Sequence, residues 1–440
     1  MKPKRMLAIL MASIIALTGT GCGAQSGNNT KTSGAAGSSE AAPEKTEGAS
    51  DSAGTDVPTI KIGQITNLTG AGAQSGNWHK VAAQSYIDWI NDNGGIKSMG
   101  GAKIEIVVAD GQSDNTQIKT ATQRLLEDKE ICAVMSNDGS NYTVALCPLF
   151  EKYQVPCITM NYSNVITESG YQWIFSLAAK SSTIGPLQID YLNWLKDEYG
   201  YNTDKVALIY ADTEFGTNNA KGVRATIEGS GLELVVDEAY PPDITDASAL
   251  VTKIIQSGAE AVFATSQYQD AKLIFSTMKS MNFHPVVVGG GQGMITSQMI
   301  DALGDSVIGM CSTAEFNWEQ KQNYDNPELM EHLKRFCEAS GEPWAPENAL
   351  GAIDSCMVIV DALERCGSTD RTVLRDAIRK CNIQAYPVGG DGHIKFDENG
   401  LNTSAVNVVV QWQDMDGTLT PRLVYPPEFG SGEFIDYRSE

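Results

Sequence analysis

The sequence predicts an α/β protein built from two doubly wound lobes. Short runs of β-branched and apolar residues alternate with amphipathic stretches of helical length along most of the chain. Such alternation is typical of βαβ units and of parallel sheets covered on both faces by helices. The alternation occurs as two series that divide near residue 180, and the body from Val57 to Glu440 is long for one hydrophobic core. We therefore expect two lobes rather than one domain.

The first series contains four predicted strands and three predicted helices. The strands are "TIKIGQIT" (59–66), "KIEIVVAD" (103–110), "ICAVMS" (131–136) and "VPCITM" (155–160). Apolar residues at helical spacing predict helices over 78–91, 115–128 and 142–153. Asn93, Gly94 and Gly95 end the first helix, because glycine and asparagine interrupt a helical pattern.

The second series repeats the pattern after residue 180. Its predicted strands are "KVALIYAD" (205–212), "LELVVDEAY" (232–240), "AEAVFATS" (259–266) and "PVVVGG" (285–290). Its predicted helices span 183–199, 216–229, 247–256 and 270–281. Gly200 directly follows the first of these and predicts its end.

The C-terminal part of the chain predicts a return to the first lobe. Residues 325–381 are largely helical in pattern, and "GHIKFDENG", "AVNVVVQWQ" and "TPRLVYPP" then predict strands and turns. We expect lobe 1 to contain residues 57–180 and 313–390, lobe 2 to contain 181–312 and 391–426, and a tail to span 427–440. More than one passage between lobes predicts a hinge.

The N-terminus has the features of an export signal. A basic start precedes an apolar run from Met6 to Leu17, which is too short for a permanent membrane span, and small residues lead to Cys22. Residues 1–22 therefore predict a signal peptide. The end of this segment resembles the lipobox of bacterial lipoproteins, although Gly19 stands where leucine is usual. An ordinary signal with a nearby cysteine is the alternative.

The next segment, residues 23–56, is rich in Gly, Ser, Ala, Thr and Glu and lacks aromatic residues. Such a composition buries too little surface to fold and predicts a flexible tether. A lipidated Cys22 followed by a tether predicts a globular body anchored by lipid to the outer face of the cell membrane.

Charge and cysteine usage limit the classes of partner and cross-link. The formal net charge is −22 with no basic block, so we expect no nucleic-acid partner. Eight cysteines follow Cys22 without a CxxC pair, and Cys132, Cys157 and Cys311 lie in β-rich runs that indicate buried thiols. We expect mostly free thiols, with Cys366–Cys381 the best candidate for a bridge.

Motifs for catalysis, metals and nucleotides are absent from the sequence. The glycine-rich "VVVGGGQGMI" (286–295) lacks the spacing of a dinucleotide loop and the Lys-Ser or Lys-Thr pair of a P-loop, so it is a tight strand-to-helix turn or a binding-site loop. No GxSxG elbow occurs, and the four histidines are scattered. We expect a binding protein with no cofactor and no metal, rather than an enzyme.

Polar residues follow several predicted strands where a ligand would bind. In open α/β sheets, ligands bind beyond the carboxyl ends of the strands. Ser140 and Thr143 follow strand 131–136 at a helix start, where backbone N–H groups suit an anion such as a carboxylate. Helix capping explains both residues equally well. Asn161 and Ser163 follow strand 155–160, and further candidates follow later strands: Asp212, Phe215, Tyr268 and Gln292.

Seven segments occur in the order found in type I periplasmic binding proteins, and the chain resembles their branched-chain amino-acid-binding branch. The segments are "IKIGQITNLTGAGAQSG", "INDNGGI", "IEIVVADGQSD", "VPCITMNYSN", "KVALIYADTEFG", "EAYPPDITDASALVTKI" and "GHIKFDENG". The resemblance spans Ile60 to Pro426. It implies two Rossmann-like lobes joined by a three-crossover hinge and closing on a solute.

The resemblance also implies roles for particular residues. Ser140 matches a serine that binds the ligand carboxylate, Asn161 a residue with main-chain contacts, and Ser163 a threonine that binds the same carboxylate. Phe215 matches an aromatic residue that closes over the ligand, and Tyr268, or Gln267 if the alignment shifts by one, matches another lobe 2 contact. Two more residues lie in the first-loop region that lines the pocket: Ser75 and Trp78.

Gln292 departs from the family pattern. Amino-acid-binding relatives commonly have a glutamate there that faces the ligand ammonium, and a buried ammonium without a counter-charge is costly. Either Asp212 or Glu214 supplies the charge, or the ligand has no ammonium, as in amides, urea-like solutes and carboxylates.

The resemblance therefore implies a solute-binding lipoprotein that works with an ABC permease and its ATPase. An amino acid, such as a branched-chain one, is the expected ligand. The alternatives are a non-amine ligand and a sensory receptor of the same fold.

Overall fold

Two large β-sheets covered by helices, and a small two-stranded sheet, make up the described body of the protein. A computed structural model describes residues 59–137, 139–315, 326–386, 392–430 and 432–437. The predicted signal peptide, Cys22 and tether lie outside these residues.

The described secondary structure comprises fourteen strands and twelve α-helices. The strands are β1 Thr59–Thr66, β2 Lys103–Asp110, β3 Ile131–Ser136, β4 Cys157–Thr159, β5 Ile174–Ser176, β6 Lys205–Ala211, β7 Glu233–Tyr240, β8 Ala261–Thr265, β9 Val286–Gly290, β10 Cys311–Ala314, β11 Asn382–Gln384, β12 His393–Lys395, β13 Val408–Met415 and β14 Thr418–Tyr425. The helices are α1 Ala73–Asp92, α2 Asn115–Glu127, α3 Ser140–Tyr153, α4 Asn164–Glu168, α5 Ile184–Tyr199, α6 Glu214–Ile227, α7 Ser248–Ser257, α8 Tyr268–Ser280, α9 Ser297–Leu303, α10 Pro327–Ser340, α11 Glu347–Cys366 and α12 Arg371–Arg379.

Lobe 1 is organised around a five-stranded parallel sheet in the order β2-β1-β3-β4-β5. All six residues of β3 are buried, as expected for a strand with helices on both faces. Helices α1, α10, α11 and α12 contribute to the core on one face, and α2 and α3 to the core on the other. The strand order reverses between β1 and β3, which places a switch point at their carboxyl ends.

Lobe 2 is organised around a seven-stranded mixed sheet in the order β14-β13-β10-β9-β8-β6-β7. Strands β6 to β10 run parallel to one another. Strand β13 pairs antiparallel with β10, and β14 pairs antiparallel with β13 and forms the edge of the sheet. Trp412 of β13 is buried, and its Nε1 donates to the Met294 carbonyl at 2.8 Å. The C-terminal strands are thereby fixed to the end of β9.

Helix starts coincide with residues that suit the N-cap position. The Asp114 carboxylate accepts hydrogen bonds from two backbone N–H groups of α2, both at 2.8 Å. Asp370 does the same for α12 at 3.0 Å. These bonds satisfy N–H groups that have no partner inside the helix and fix where each helix begins.

The predicted fold class is confirmed, and the structure adds elements too short to leave a periodic pattern. Examples are Ile174–Ser176, the edge strand of the lobe 1 sheet, and Cys311–Ala314, which lies between β9 and β13 in the lobe 2 sheet. In the order of the described elements, the chain crosses from one lobe to the other after β5, after β10 and after β12. The Ser176 N–H donates to the Gly400 carbonyl at 2.7 Å, and the Asn402 N–H donates to the Ser176 carbonyl at 2.9 Å, across a parallel bridge between Ser176 and Leu401. The passages therefore support one another.

One segment lies apart from the lobe assigned to it by sequence. The predicted boundaries place 391–426 in lobe 2, whereas Ile394 of β12 is buried in the lobe 1 core. Strand β12 pairs antiparallel with β11, and this pairing holds it on the lobe 1 side.

The eight cysteines in the described part of the chain are free thiols, and Cys366 and Cys381 form no bridge. Burial raises the pKa of Cys381 to about 12, which keeps its thiol protonated. Among the described helices, none is long and apolar enough to cross a membrane.

Candidate functional site

A small cavity lies between the two lobes, where the carboxyl ends of their strands meet. Its volume is about 60 Å³. It is lined by Ser75, Asn137, Gly139, Ser140, Asn161, Tyr162, Phe215, Gln267 and Asn348. A cavity needs about 10–15 Å³ to hold one water molecule, so this cavity has room for only a few water molecules. A larger solute requires the lobes to separate.

Four of the predicted residues line this cavity together: Ser75, Ser140, Asn161 and Phe215. The first three belong to lobe 1 and the last to lobe 2. Gln267, the alternative to Tyr268, also lines it. Positions far apart in sequence are therefore brought to one place by the ends of β3, β4, β6 and β8.

Ser140 occupies the first position of α3. The N-cap residue is Gly139, whose φ of 58° lies in the left-handed region that favours glycine. The helix start is therefore not capped by a side chain, and the Ser140 hydroxyl does not serve as the cap. The start of this fourteen-residue helix has no side-chain cap and lies next to a hydroxyl, and such an environment favours an anionic group.

Thr143 and Ser163 are directed into the protein and are not among the cavity-lining residues. The Thr143 hydroxyl lies 3.0 Å from Ser136 Oγ and accepts from Asn161 Nδ2 at 2.7 Å. The Ser163 hydroxyl accepts from the Val165 N–H at 3.3 Å and caps α4. The Thr143 hydroxyl therefore supports Asn161 from behind the cavity wall, whereas the Ser163 hydroxyl is engaged in the cap of α4.

Trp78 and Tyr268 also lie away from the cavity wall. The indole Nε1 of Trp78 donates to Glu342 Oε1 at 2.9 Å, and the other Glu342 oxygen accepts from Ser297 Oγ at 2.7 Å. Glu342 thus joins α1 of lobe 1 to α9 of lobe 2. The Tyr268 hydroxyl donates to the Gln298 carbonyl at 3.3 Å, within lobe 2.

The carboxylates considered as counter-charges for an ammonium also lie elsewhere. Asp212 is exposed, and Glu214 is exposed with one oxygen accepting from Asn218 Nδ2 at 3.3 Å. Gln292 begins the short 3-10 turn Gln292–Met294, and its side chain lies outside the described part of the structure. Among the described residues that line the cavity, none is a carboxylate.

The asparagine at the end of β4 is held firmly. The Asn161 amide nitrogen donates to the Ser136 carbonyl at 3.1 Å and to Thr159 Oγ1 at 2.9 Å, besides its bond to Thr143. Because its side chain is committed to these partners, Asn161 offers mainly its backbone to the cavity.

Four residues that line the cavity were not among the predicted site residues: Asn137, Gly139, Tyr162 and Asn348. The Asn348 amide nitrogen donates to Ser75 Oγ at 2.6 Å and lies 3.2 Å from His79 Nε2. Asn348 belongs to α11, which follows no strand, so the rule of strand ends could not identify it. Tyr162 follows β4 between Asn161 and Ser163, so its position after a strand end could have identified it.

Tyr162 connects the cavity to a buried carboxyl group. Its hydroxyl donates a hydrogen bond to Glu347 Oε1, and Glu347 is 3 % exposed. Burial raises the pKa of Glu347 to about 8, against a smaller opposing effect of a backbone N–H of Glu315. Glu347 is therefore largely protonated at neutral pH and supplies no full negative charge.

Phe215 closes the cavity from lobe 2. Its ring packs against the Tyr162 ring with centroids 5.4 Å apart and an interplanar angle of 48°. A Cβ at Gly291 would lie 2.7 Å from Phe215 Cζ, and Gly291 has a φ of 126°. The glycine-rich turn after β9 therefore allows the backbone to approach this aromatic ring, and it is not a phosphate loop.

The site has no described metal-binding group. Among the described residues, no cluster of three or more His, Cys, Asp or Glu side chains could hold a metal ion. The wall chemistry consists of amides, hydroxyls and aromatic rings. Such a wall recognises a small polar solute through hydrogen bonds and stacking.

The family model and similar relatives indicate the same protein family. The family model described as periplasmic binding protein matches residues 59–417. Leu/Ile/Val-binding protein homolog 7 of Brucella suis biovar 1 is 26% identical over 372 residues, which cover 83% of this chain and 91% of that protein. Leu/Ile/Val-binding protein homolog 8 of Brucella abortus is 24% identical over a match that covers 83% of this chain and 90% of that protein.

Solved structures share the fold. A branched-chain amino acid transporter substrate binding protein from Streptococcus pneumoniae, in complex with isoleucine, has a TM-score of 0.71 at 22% identity. The match covers 84% of this chain and 100% of that protein. A solute binding protein of an ABC transporter from Rhodopseudomonas palustris, in complex with 3,4-dihydroxy benzoic acid, has a TM-score of 0.69 at 18% identity. The match covers 86% of this chain and 98% of that protein. At these identities the likeness concerns the fold alone.

Proposed function

Because the chain belongs to the periplasmic binding protein family, we propose that it binds a small polar solute between its lobes and delivers it to an ABC permease and its ATPase. The cavity where the strand ends of both lobes meet is the observation that supports this proposal most strongly. The open form binds solute on one lobe, and closure about the hinge buries it. The solute shifts the equilibrium to the closed form only as far as it prefers that form.

The proposed ligand carries a carboxylate that binds at the start of α3. Ser140 would donate its hydroxyl, and the helix N-terminus would supply backbone N–H groups. Ser75 and Asn348 would bind the opposite side of the polar group, and Phe215 would cover its apolar part. The anchor at Cys22 would hold the receptor outside the cytoplasm and near its permease.

An amino acid is the first candidate ligand, because the relatives named for leucine, isoleucine and valine binding match most of the chain. A carboxylate without an ammonium is the second. It is favoured by the lack of a carboxylate among the described lining residues and by the protonated state of Glu347. The structural neighbour that binds 3,4-dihydroxy benzoic acid has the same fold.

Titration calorimetry of the mature chain against amino acids, amides and aromatic acids separates these candidates. Saturable heat from a branched-chain amino acid, without heat from its amide or from an aromatic acid, supports the first. Saturable heat from an aromatic acid alone excludes the amino-acid ligand. Recovery of chemically altered ligand after incubation would instead indicate an enzyme and contradict the proposal.

A further inference from the structure

A second and larger cavity lies at the other end of the lobe 2 sheet. Its volume is about 490 Å³, against about 60 Å³ for the cavity between the lobes. It lies at the amino ends of strands β8 and β9, near Glu260 and Val286, whereas the cleft lies at their carboxyl ends. At about 3.3 Å per residue, the length of β9 alone separates the two sites by roughly 13 Å. We call this second cavity the basal pocket.

The walls of the basal pocket are mainly apolar and aromatic. They include Leu195 of α5, Phe275 and Met278 of α8, and Met310 and Ile308 before β10. A volume of several hundred cubic ångströms with apolar walls is typical of sites for small organic molecules. The two methionines add adaptable, polarisable surface, which suits ligands of varied shape.

Several polar groups of the pocket are hydrogen-bonded within the protein. Lys279 Nζ donates to the Leu303 carbonyl at 2.9 Å, and the Asn202 amide donates to Glu260. Deep in the pocket, the Tyr191 hydroxyl lies 3.1 Å from the Cys311 thiol. The Lys279 ammonium and the Glu260 carboxylate are thereby hydrogen-bonded within the protein. A charged ligand would have to displace these contacts to gain a counter-charge while losing its own hydration, so the pocket favours a neutral molecule.

The C-terminal tail forms one wall of the basal pocket. Phe434 and Tyr437 line the cavity. The tail is held by Gln411 of β13, which donates to the Ile435 carbonyl at 2.9 Å and accepts from the Ile435 N–H at 3.0 Å. Phe434 also packs against Trp194, with ring centroids 5.6 Å apart. The family match ends at residue 417, so this wall lies beyond the matched region.

We propose that the basal pocket binds a neutral, mainly apolar small molecule independently of the solute in the cleft. The size of the pocket, its apolar walls and the internal pairing of its polar groups all support this class of ligand. The inference stands whether the cleft binds an amino acid or another solute.

The test uses N-phenyl-1-naphthylamine, a neutral apolar fluorophore, titrated into the mature chain. We expect saturable binding of one probe per chain. Met310→Trp fills the pocket and should weaken the probe at least tenfold. Met281→Trp is the matched control, because Met281 is 39 % exposed and does not line the pocket, and it should leave the affinity unchanged.

Two further variants test the location of the bound probe. Phe434→Ala alters the tail wall without filling the pocket, so it should change the probe affinity even if Met310→Trp fails to fold. Phe215→Ala alters the cleft and should leave the probe affinity unchanged. The proposal is overturned by absence of saturable binding, by equal affinity in wild type and in both pocket variants, or by loss of the probe in Phe215→Ala.

Discussion

The buried carboxyl group behind the cleft makes stability depend on pH, and Glu347→Gln should remove that dependence. Glu347 is 3 % exposed, and burial raises its pKa from an ordinary value of 4.5 to about 8. The folded chain therefore keeps this proton up to about pH 8, whereas the unfolded chain releases it near pH 4.5. Between these values the folded state binds more protons, so stability falls as pH rises.

The magnitude follows from the shift. One pKa unit is worth about 1.4 kcal/mol, so Glu347 should cost the wild type roughly 3 kcal/mol of unfolding free energy between about pH 5 and 7.5. Glutamine keeps the shape of the side chain and an oxygen that accepts from Tyr162, but it does not titrate. The variant should therefore gain stability relative to wild type as pH rises.

The assay is urea unfolding of wild type and Glu347→Gln at several pH values across this range. Glu338→Gln on α10 is the control, because the Glu338 side chain is 66% exposed. It should leave the pH profile of the wild type unchanged. If the unfolding free energies of wild type and Glu347→Gln changed with pH in the same way, Glu347 would not titrate as expected, because every other titrating group is common to both.

Three further substitutions have distinct expected outcomes. Gly76→Ala places a Cβ 1.9 Å from the Asn67 carbonyl oxygen and should lower the unfolding free energy in urea by about 1–3 kcal/mol; an unchanged midpoint would contradict the close approach. Glu342→Ala removes the acceptor for Ser297 in the other lobe and should speed solute release roughly tenfold in stopped-flow traces; unchanged release would show that this contact does not hold the lobes closed. Asp114→Ala removes the cap of α2 and should cost about 1 kcal/mol in chemical denaturation; equal stability would mean that the cap is not needed.

The architecture was predictable because its strands are buried on both faces. Strands such as β3 and β6 are nearly continuous apolar runs, and the helices between them have clear periodicity. The three-residue strand β5 has too few residues to show a pattern. The placement of β12 with lobe 1 depends on its pairing with β11, which is a tertiary contact.

The site was predictable only in part, for similar reasons. Ser140 and Asn161 were found because each follows a strand whose end is marked by a change from apolar to polar residues. Thr143 is one helical turn beyond Ser140, and its hydroxyl turns inward to Asn161. Asn348 comes from a helix distant in sequence, and its place beside Ser75 depends on the packing of α11 against α1.

The cleft is proposed to bind a carboxylate-bearing solute at the start of α3. Calorimetric titration of that solute into wild type, Ser140→Ala and Ser248→Ala tests it most directly. Ser248 is the control, because it is also the first residue of a helix but is exposed on lobe 2, away from the cavity. A hydrogen bond to a charged group is worth about 1.5–3 kcal/mol, so Ser140→Ala should raise the Kd roughly ten- to hundredfold, with Ser248→Ala unchanged. An unchanged Kd in Ser140→Ala, or equal weakening in both variants, would contradict the account.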